Sequence, residues 1–355
     1  METNSRTTGR AAVGGSSVDR RELLTYAAML SGTLLAAAES GSAARAAAPA
    51  AETPQPRTRP TISTKRRYDM KKSINLWAFP YPQQWSLKSC LQLAKDAGFD
   101  GVEINFALEG EFSAESSAEE IRQIGRMAKQ IGIAISGVCS FLFWPYSMSH
   151  NDPEKRAKGL SLAKQMIEAT RLLEIDNLLV VPGAVYAPWV ENYDPVPNDV
   201  CDQRAREAVR SLIPLAEQAQ VSLNIENIFM NGFLFSPQEM AAFVDSFNSD
   251  HVRIHFDTGN IMQYQFPEHW IPILGKRIKN IHFKEFDKRG QEFNLHTFRT
   301  LLDGTTNWPA VITALDQIQY RGYLTFEYFH PFQHYPEALV YQASDALDWM
   351  LGQKA

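Results

Sequence analysis

The chain reads as an α/β protein of the (β/α)8 TIM-barrel class, and three observations predict this. Past residue 70, short runs rich in β-branched and aromatic residues alternate with longer stretches of helical periodicity, the pattern of a parallel sheet wrapped by helices. The short runs number eight over about 280 residues, close to the roughly 250 residues of a typical barrel. No G-x-G-x-x-G follows the first run, so a doubly wound dinucleotide fold loses its main support.

In order, the strand candidates cover residues 73–77, 101–105, 134–139, 177–181, 222–226, 253–257, 280–284 and 323–327. Between and after them lie helix candidates at 87–97, 119–131, 153–173, 203–219, 237–247, 308–319 and 336–351. Ser236, Pro237 and Glu239 supply an N-cap, an N1 proline and an N3 carboxylate, a capping box that satisfies the first orphan N–H groups of a helix. Gly98, Gly132 and Gly322 each stand between a helix and the next strand, where a left-handed cap wants a residue without Cβ.

The first 69 residues differ in kind, being dominated by Ala, Ser, Gly and Arg. Arg20 and Arg21 precede a moderately apolar run at 26–38, followed by small residues such as Ala46, Ala47 and Ala48. That order predicts a twin-arginine export signal over residues 1–48, a disordered linker over 49–69 and a barrel domain over 70–355. The expected destination is periplasmic or extracytoplasmic; the alternative is a retained tail on a cytoplasmic protein. An apolar run of about 13 residues falls short of the roughly 20 that span a bilayer, so stable membrane insertion is not expected.

A net charge of −5 and a pI near 5.9 leave no clustered basic footprint for nucleic acid. The expected partner is a small molecule. Cys90, Cys139 and Cys201 lack CxxC spacing and read as buried free thiols.

In a barrel, side chains at the C-terminal strand ends converge on one shared site. The fifth strand ends in Glu226, the sixth in Asp257, and the eighth in Glu327, while His282 lies near the end of the seventh. Each alone reads more readily as a hydrogen-bonded core residue than as a ligand. Together, three carboxylates and an imidazole are too repulsive to bury without a cation. Mostly oxygen donors with one nitrogen suit Mn2+, with Mg2+ or Co2+ as alternatives, better than a structural zinc. A cation that chelates a carbonyl and the neighbouring hydroxyl of a sugar acidifies the proton beside the carbonyl. Glu226 and Glu327, three strands apart, could then face opposite sides of the sugar as an acid–base pair acting through an enediolate. Returning the proton to the opposite face gives epimerisation; returning it to the adjacent carbon gives aldose–ketose isomerisation.

At these motifs the sequence resembles the xylose isomerase-like barrel superfamily, in particular its ketose 3-epimerase and hydroxypyruvate isomerase branch, over roughly residues 70–351. Residues 275–285 look like the family's seventh-strand segment, and Asp257, Thr258, Gly259 and Asn260 like its sixth-strand end. The resemblance implies metal ligation by Glu226, Asp257, His282 and Glu327, with the two glutamates exchanging protons. Three sugar-contacting positions depart from the epimerases: Gly232 stands where they carry Glu, Asn260 where they carry His, and Lys288 where they carry Arg. The metal core is thus kept while the substrate shell is changed, so D-tagatose or D-psicose is not the assumed substrate.

Asn260, Lys284, Lys288, Glu103 and Trp144 are the candidate substrate contacts. Glu103, inside the second strand, reads equally as a buried carboxylate paired with a polar neighbour. Lys284 could reach a substrate oxygen or only balance charge. Phe141, Trp144, Phe229 and Phe235 could stack on a sugar or pack a homo-oligomer interface. His150 reads as substrate-facing or solvated rather than as a ligand. Two competing functions share the barrel: a keto-inositol dehydratase-type lyase, whose first proton abstraction is the same, and a non-catalytic sugar-binding barrel. A related endonuclease would need more histidines and a basic groove.

Overall fold

Strand runs such as Ser222-Leu223-Asn224-Ile225-Glu226 alternate polar and apolar side chains, and the barrel gives each set its own compartment. The computed structural model describes residues 65–229, 232–290 and 293–354. Eight parallel strands, β1 (Lys71–Asn75), β2 (Gly101–Asn105), β3 (Ala134–Cys139), β4 (Asn177–Val180), β5 (Ser222–Glu226), β6 (Val252–Asp257), β7 (Ile278–Phe283) and β10 (Tyr323–Phe326), form the barrel. They close in the order β1-β10-β7-β6-β5-β4-β3-β2. A helix follows each: α1 (Leu87–Asp96), α2 (Ala118–Ile131), α3 (Pro153–Leu172), α4 (Asn198–Ala219), α5 (Pro237–Asp245), α6 (Pro267–Leu274), α7 (Trp308–Gln317) and α8 (Pro336–Met350).

Leu223, Ile225, Ile254, Phe256, Ile281 and Phe283 are buried in the hydrophobic core with helix residues such as Leu212, Phe243 and Ile271. The alternate residues build a hydrogen-bonded polar network. Ser73 Oγ and Ser136 Oγ are 2.6 Å apart, and Asn177 donates to the Ser136 carbonyl at 2.7 Å. Asn224 Oδ1 accepts from Ser222 Oγ at 2.7 Å. Such pairing is what allows polar groups to be buried without large cost.

Ser236 caps α5 with the expected capping box, and Gly98 and Gly132 adopt φ of +89° and +81°. Gly322 does not. Its φ is not left-handed; the residue in that region after α7 is Gln319, at φ 60°. What Gly322 provides is room, since a Cβ there would stand 2.4 Å from the Tyr320 hydroxyl oxygen.

Three features were not legible in the hydrophobic pattern. Helix α6 is short and contains Pro272, which obscures its period. The connection after β7 holds a small antiparallel pair, β8 (Glu285–Phe286) with β9 (Phe298–Arg299). Glu285 anchors it, accepting from Trp308 Nε1 at 2.6 Å and from the backbone N–H of Leu302 and of Thr306. The barrel's contacts also begin earlier than Met70: Arg66 pairs with Asp100 at 2.7 Å, and the Arg67 N–H donates to the Leu351 carbonyl at 2.9 Å. Arg66 and Arg67, in the expected linker, thus make contacts with the barrel. The expected signal at 1–48 and the linker's residues 49–64 lie outside the described residues. Among the described residues no helix is long and apolar enough to cross a membrane.

Candidate active site

Parallel pairing sets β5, β6, β7 and β10 side by side, so their C-terminal ends deliver side chains to one place. Ligand-type atoms of Glu226, Asp257, His282 and Glu327 all lie within 4.8 Å of one another, and all four residues are buried. His282 is central: its Nδ1 is 3.3 Å from Glu327 Oε1, 3.4 Å from Glu226 Oε1 and 3.7 Å from Asp257 Oδ2.

Glu103 fixes that ring from below. Its Oε2 lies 2.6 Å from His282 Nε2 and accepts from Asn75 Nδ2 at 2.7 Å. The β2–β3 pairing slips in register just before Glu103, and the β6–β7 pairing just before His255, whose ring packs 4.1 Å from that of His282. Irregularities of this kind re-aim side chains, here those that surround His282. Glu103 is fully buried and supports the imidazole through this contact.

Burial raises the Glu103 carboxyl, but the His282 imidazole outweighs it and draws the pKa down to about 2. With Nε2–H donated to Glu103, the neutral ring presents the Nδ1 lone pair to three carboxylates, and Nδ1 has no hydrogen-bond partner. Four such groups fit a divalent cation, and the orphaned nitrogen is the observation that tests the fit. Without a cation the ring takes a proton instead. Burial opposes this, yet Glu327 and Glu103 hold the His282 pKa well above 6.5.

Asp257 is oriented by its own turn: Oδ1 accepts the backbone N–H of Gly259 and of Asn260, each at 2.8 Å, which leaves Oδ2 toward His282. Asn227 ties β5 to β6 by exchanging two hydrogen bonds with the Asp257 backbone, at 2.8 and 2.9 Å. Asn260 Nδ2 lies 3.4 Å from Glu226 Oε1, and its Oδ1 accepts from Lys284 Nζ at 3.1 Å. Lys284 also pairs with Asp257 Oδ2 at 3.1 Å and with Glu327, and its ammonium sits 4.5 Å from the ring centres of Phe298 and of Phe329. Burial raises both glutamates, Glu327 to about 7. Glu226 and Glu327 are thus held in unlike surroundings, one beside an amide and the other beside an ammonium, which suits opposite halves of a proton exchange.

Above these groups opens a cavity whose polar lining includes Glu226, Asn260, Lys284 and Glu327. Of the loop aromatics singled out in the sequence, Phe141, Trp144 and Phe229 line it, whereas Phe235 does not and is 54% exposed. Lys288 is not a lining residue. Its ammonium donates to the Gln265 carbonyl at 3.0 Å and lies 3.7 Å from the Phe266 ring centre. His150 is buried outside the cavity, its Nδ1 accepting the Asp152 N–H at 2.9 Å at the start of α3. Sequence reasoning missed Trp77, Trp189, Phe298 and Phe329 among the walls. Trp77 and Phe329 stand just past strand ends, a position that could have flagged them. Trp189 and Phe298 come from long loops that carry no such signal.

A family model described as a xylose isomerase-like TIM barrel matches residues 91–351. The chain is 26% identical over 262 residues to D-psicose 3-epimerase of Enterocloster bolteae, covering 70% of this chain and 79% of that one. It is 24% identical over 250 residues to L-ribulose 3-epimerase of Mesorhizobium japonicum, covering 69% and 76%. A solved L-ribulose 3-epimerase superposes with a TM-score of 0.66 at 20% identity, covering 80% of this chain and 95% of its own.

Proposed function

From the premise that this chain belongs to the xylose isomerase-like TIM barrel family, we propose that it is a metal-dependent sugar epimerase or isomerase whose residues 1–48 direct export. The carrying observation is the buried Glu226–Asp257–His282–Glu327 cluster with its orphaned Nδ1, in a chain similar to two ketose 3-epimerases. Glu226, Asp257, His282 and Glu327 would hold the cation, with Mn2+ favoured by the three-oxygen, one-nitrogen donor set and Mg2+ or Co2+ as alternatives. Such an ion supplies Lewis acidity to a substrate carbonyl and its neighbouring hydroxyl.

The chain's own residues do the rest. One of Glu226 and Glu327 accepts the proton from the carbon beside the carbonyl, and the other returns one to the enediolate. Lys284, paired with Glu327, favours its carboxylate form and offers a donor to a substrate oxygen. Asn260 links the two acid–base centres, through its amide nitrogen near Glu226 and its oxygen on Lys284. The aromatic walls exclude water, which strengthens each of these interactions.

The test is proton exchange in D2O with Mn2+ and a panel of ketoses, keto acids and inososes, followed by NMR. Deuterium should appear beside the carbonyl, and Glu327→Gln or Glu226→Gln should slow its appearance by about 10²–10⁴-fold. Loss of water from an inosose would instead identify the lyase. Cation binding with no exchange from any compound would refute the enzymatic reading and favour a sugar-binding barrel.

A further inference from the structure

The cavity is polar at its floor and aromatic on its walls, and the division is sharp. Glu226, Asn260, Lys284 and Glu327 are mutually linked and form one polar patch. Three aromatic pairs contribute to the lining. Trp144 and Trp189 meet at 4.8 Å, Trp77 and Phe329 at 5.2 Å, and Phe229 and Phe298 at 4.9 Å. Ser140, the remaining polar lining residue, is committed elsewhere, donating to the Phe106 carbonyl at 2.7 Å and accepting the Leu142 N–H at 3.1 Å. Of the three shell positions that differ from the epimerases, Asn260 belongs to the polar floor, while Gly232 has no side chain and the Lys288 ammonium is turned to Gln265 and Phe266.

We propose that the substrate is a keto-sugar carrying an aryl substituent, with its reacting carbonyl on the polar floor and its aryl group between the aromatic walls. This rests on the isomerase reading and narrows it. A free ketohexose carries a polar group on every carbon, and each hydroxyl buried against a wall without a partner weakens binding by about tenfold. Two aromatic faces suffice to sandwich the C–H faces of one sugar ring. The additional aromatic pair, and Phe141 at the cavity with 50% exposure, extend the apolar lining beyond the needs of one sugar.

Titration calorimetry on the full chain with Mn2+ would compare phenyl β-D-glucopyranoside with methyl β-D-glucopyranoside. The phenyl glycoside is expected to bind about tenfold tighter or more, and Trp144→Ser to reduce that preference while cation binding persists. Exchange in D2O would in parallel compare phenyl keto-glucosides with D-fructose and D-psicose, the glycosides being expected to exchange faster. Equal affinity for the two glucosides, or faster exchange with the free ketoses, overturns the proposal; the latter outcome leaves the isomerase reading standing. A phenyl preference without exchange from any compound supports the aryl assignment of the walls and refutes the isomerase chemistry.

Discussion

Glu103 is a carboxylate that a substrate does not need to touch in order to depend on it. By accepting a hydrogen bond from Nε2–H of His282 it sets both the tautomer and the aim of Nδ1. Glu103→Gln keeps the shape but can donate toward Nε2 and so favour the wrong tautomer. Calorimetry should find Mn2+ bound about 10–100-fold more weakly, with the circular dichroism spectrum unchanged; wild-type affinity in this variant would refute the role. Protonation gives a second expectation. In the cation-free protein, against the effect of burial, the Glu327 and Glu103 carboxylates hold the His282 pKa well above 6.5, and burial raises Glu327 to about 7. A cation needs both groups deprotonated, so binding expels protons, and affinity falls as pH drops through the raised His282 pKa and further below about 7, where Glu327 also takes a proton. Heats of Mn2+ binding measured at one pH in two buffers of different ionisation enthalpy should therefore differ, and identical heats would contradict it.

Elements reach this site through close approach. In α3, Gly159 lies against the loop after β3, where an added Cβ would stand 1.9 Å from the Tyr146 carbonyl oxygen. That loop carries Trp144, so the glycine in a helix on the outside governs an aromatic wall on the inside. Gly159→Ala should lower stability by roughly 1–3 kcal/mol, as overpacking does, and thermal denaturation would detect it. An unchanged Tm would mean that the loop can move away at little cost. Elements with strong local signals were legible: Ser236 and Glu239 marked the start of α5, and the alternation of Ser222 to Glu226 marked β5. Helix α6, interrupted by Pro272, and the β8–β9 pair, two residues to a strand, offer too little period to be recognised without their tertiary partners.

For the molecule as a whole, the seam lies between a compositionally distinct N-terminal segment and the barrel, whose contacts among the described residues include Arg66. A twin-arginine route would carry the barrel already folded, with its cation bound. Fusing residues 1–69 to a reporter should send the reporter out of a bacterial cytoplasm, and Arg20→Lys with Arg21→Lys should retain it. Retention of the unaltered fusion would sink the export proposal. The truncated barrel beginning at Lys65 keeps the Arg66–Asp100 contact, and is the form in which both can be compared.

The sequence by itself determined the barrel, because alternating strand and helix periods leave few other ways to bury eight apolar strand faces. It also determined which four residues would meet, because the closed order of parallel strands brings their C-terminal ends together without reference to loop detail. Only the tertiary structure decided what surrounds them. That Glu103 supports His282, that Lys288 turns away, and that Trp189 and Phe298 become cavity walls all depend on register slips and long-loop packing. Such contacts join residues far apart in the chain, where local propensity and hydrophobic period carry no information about distance.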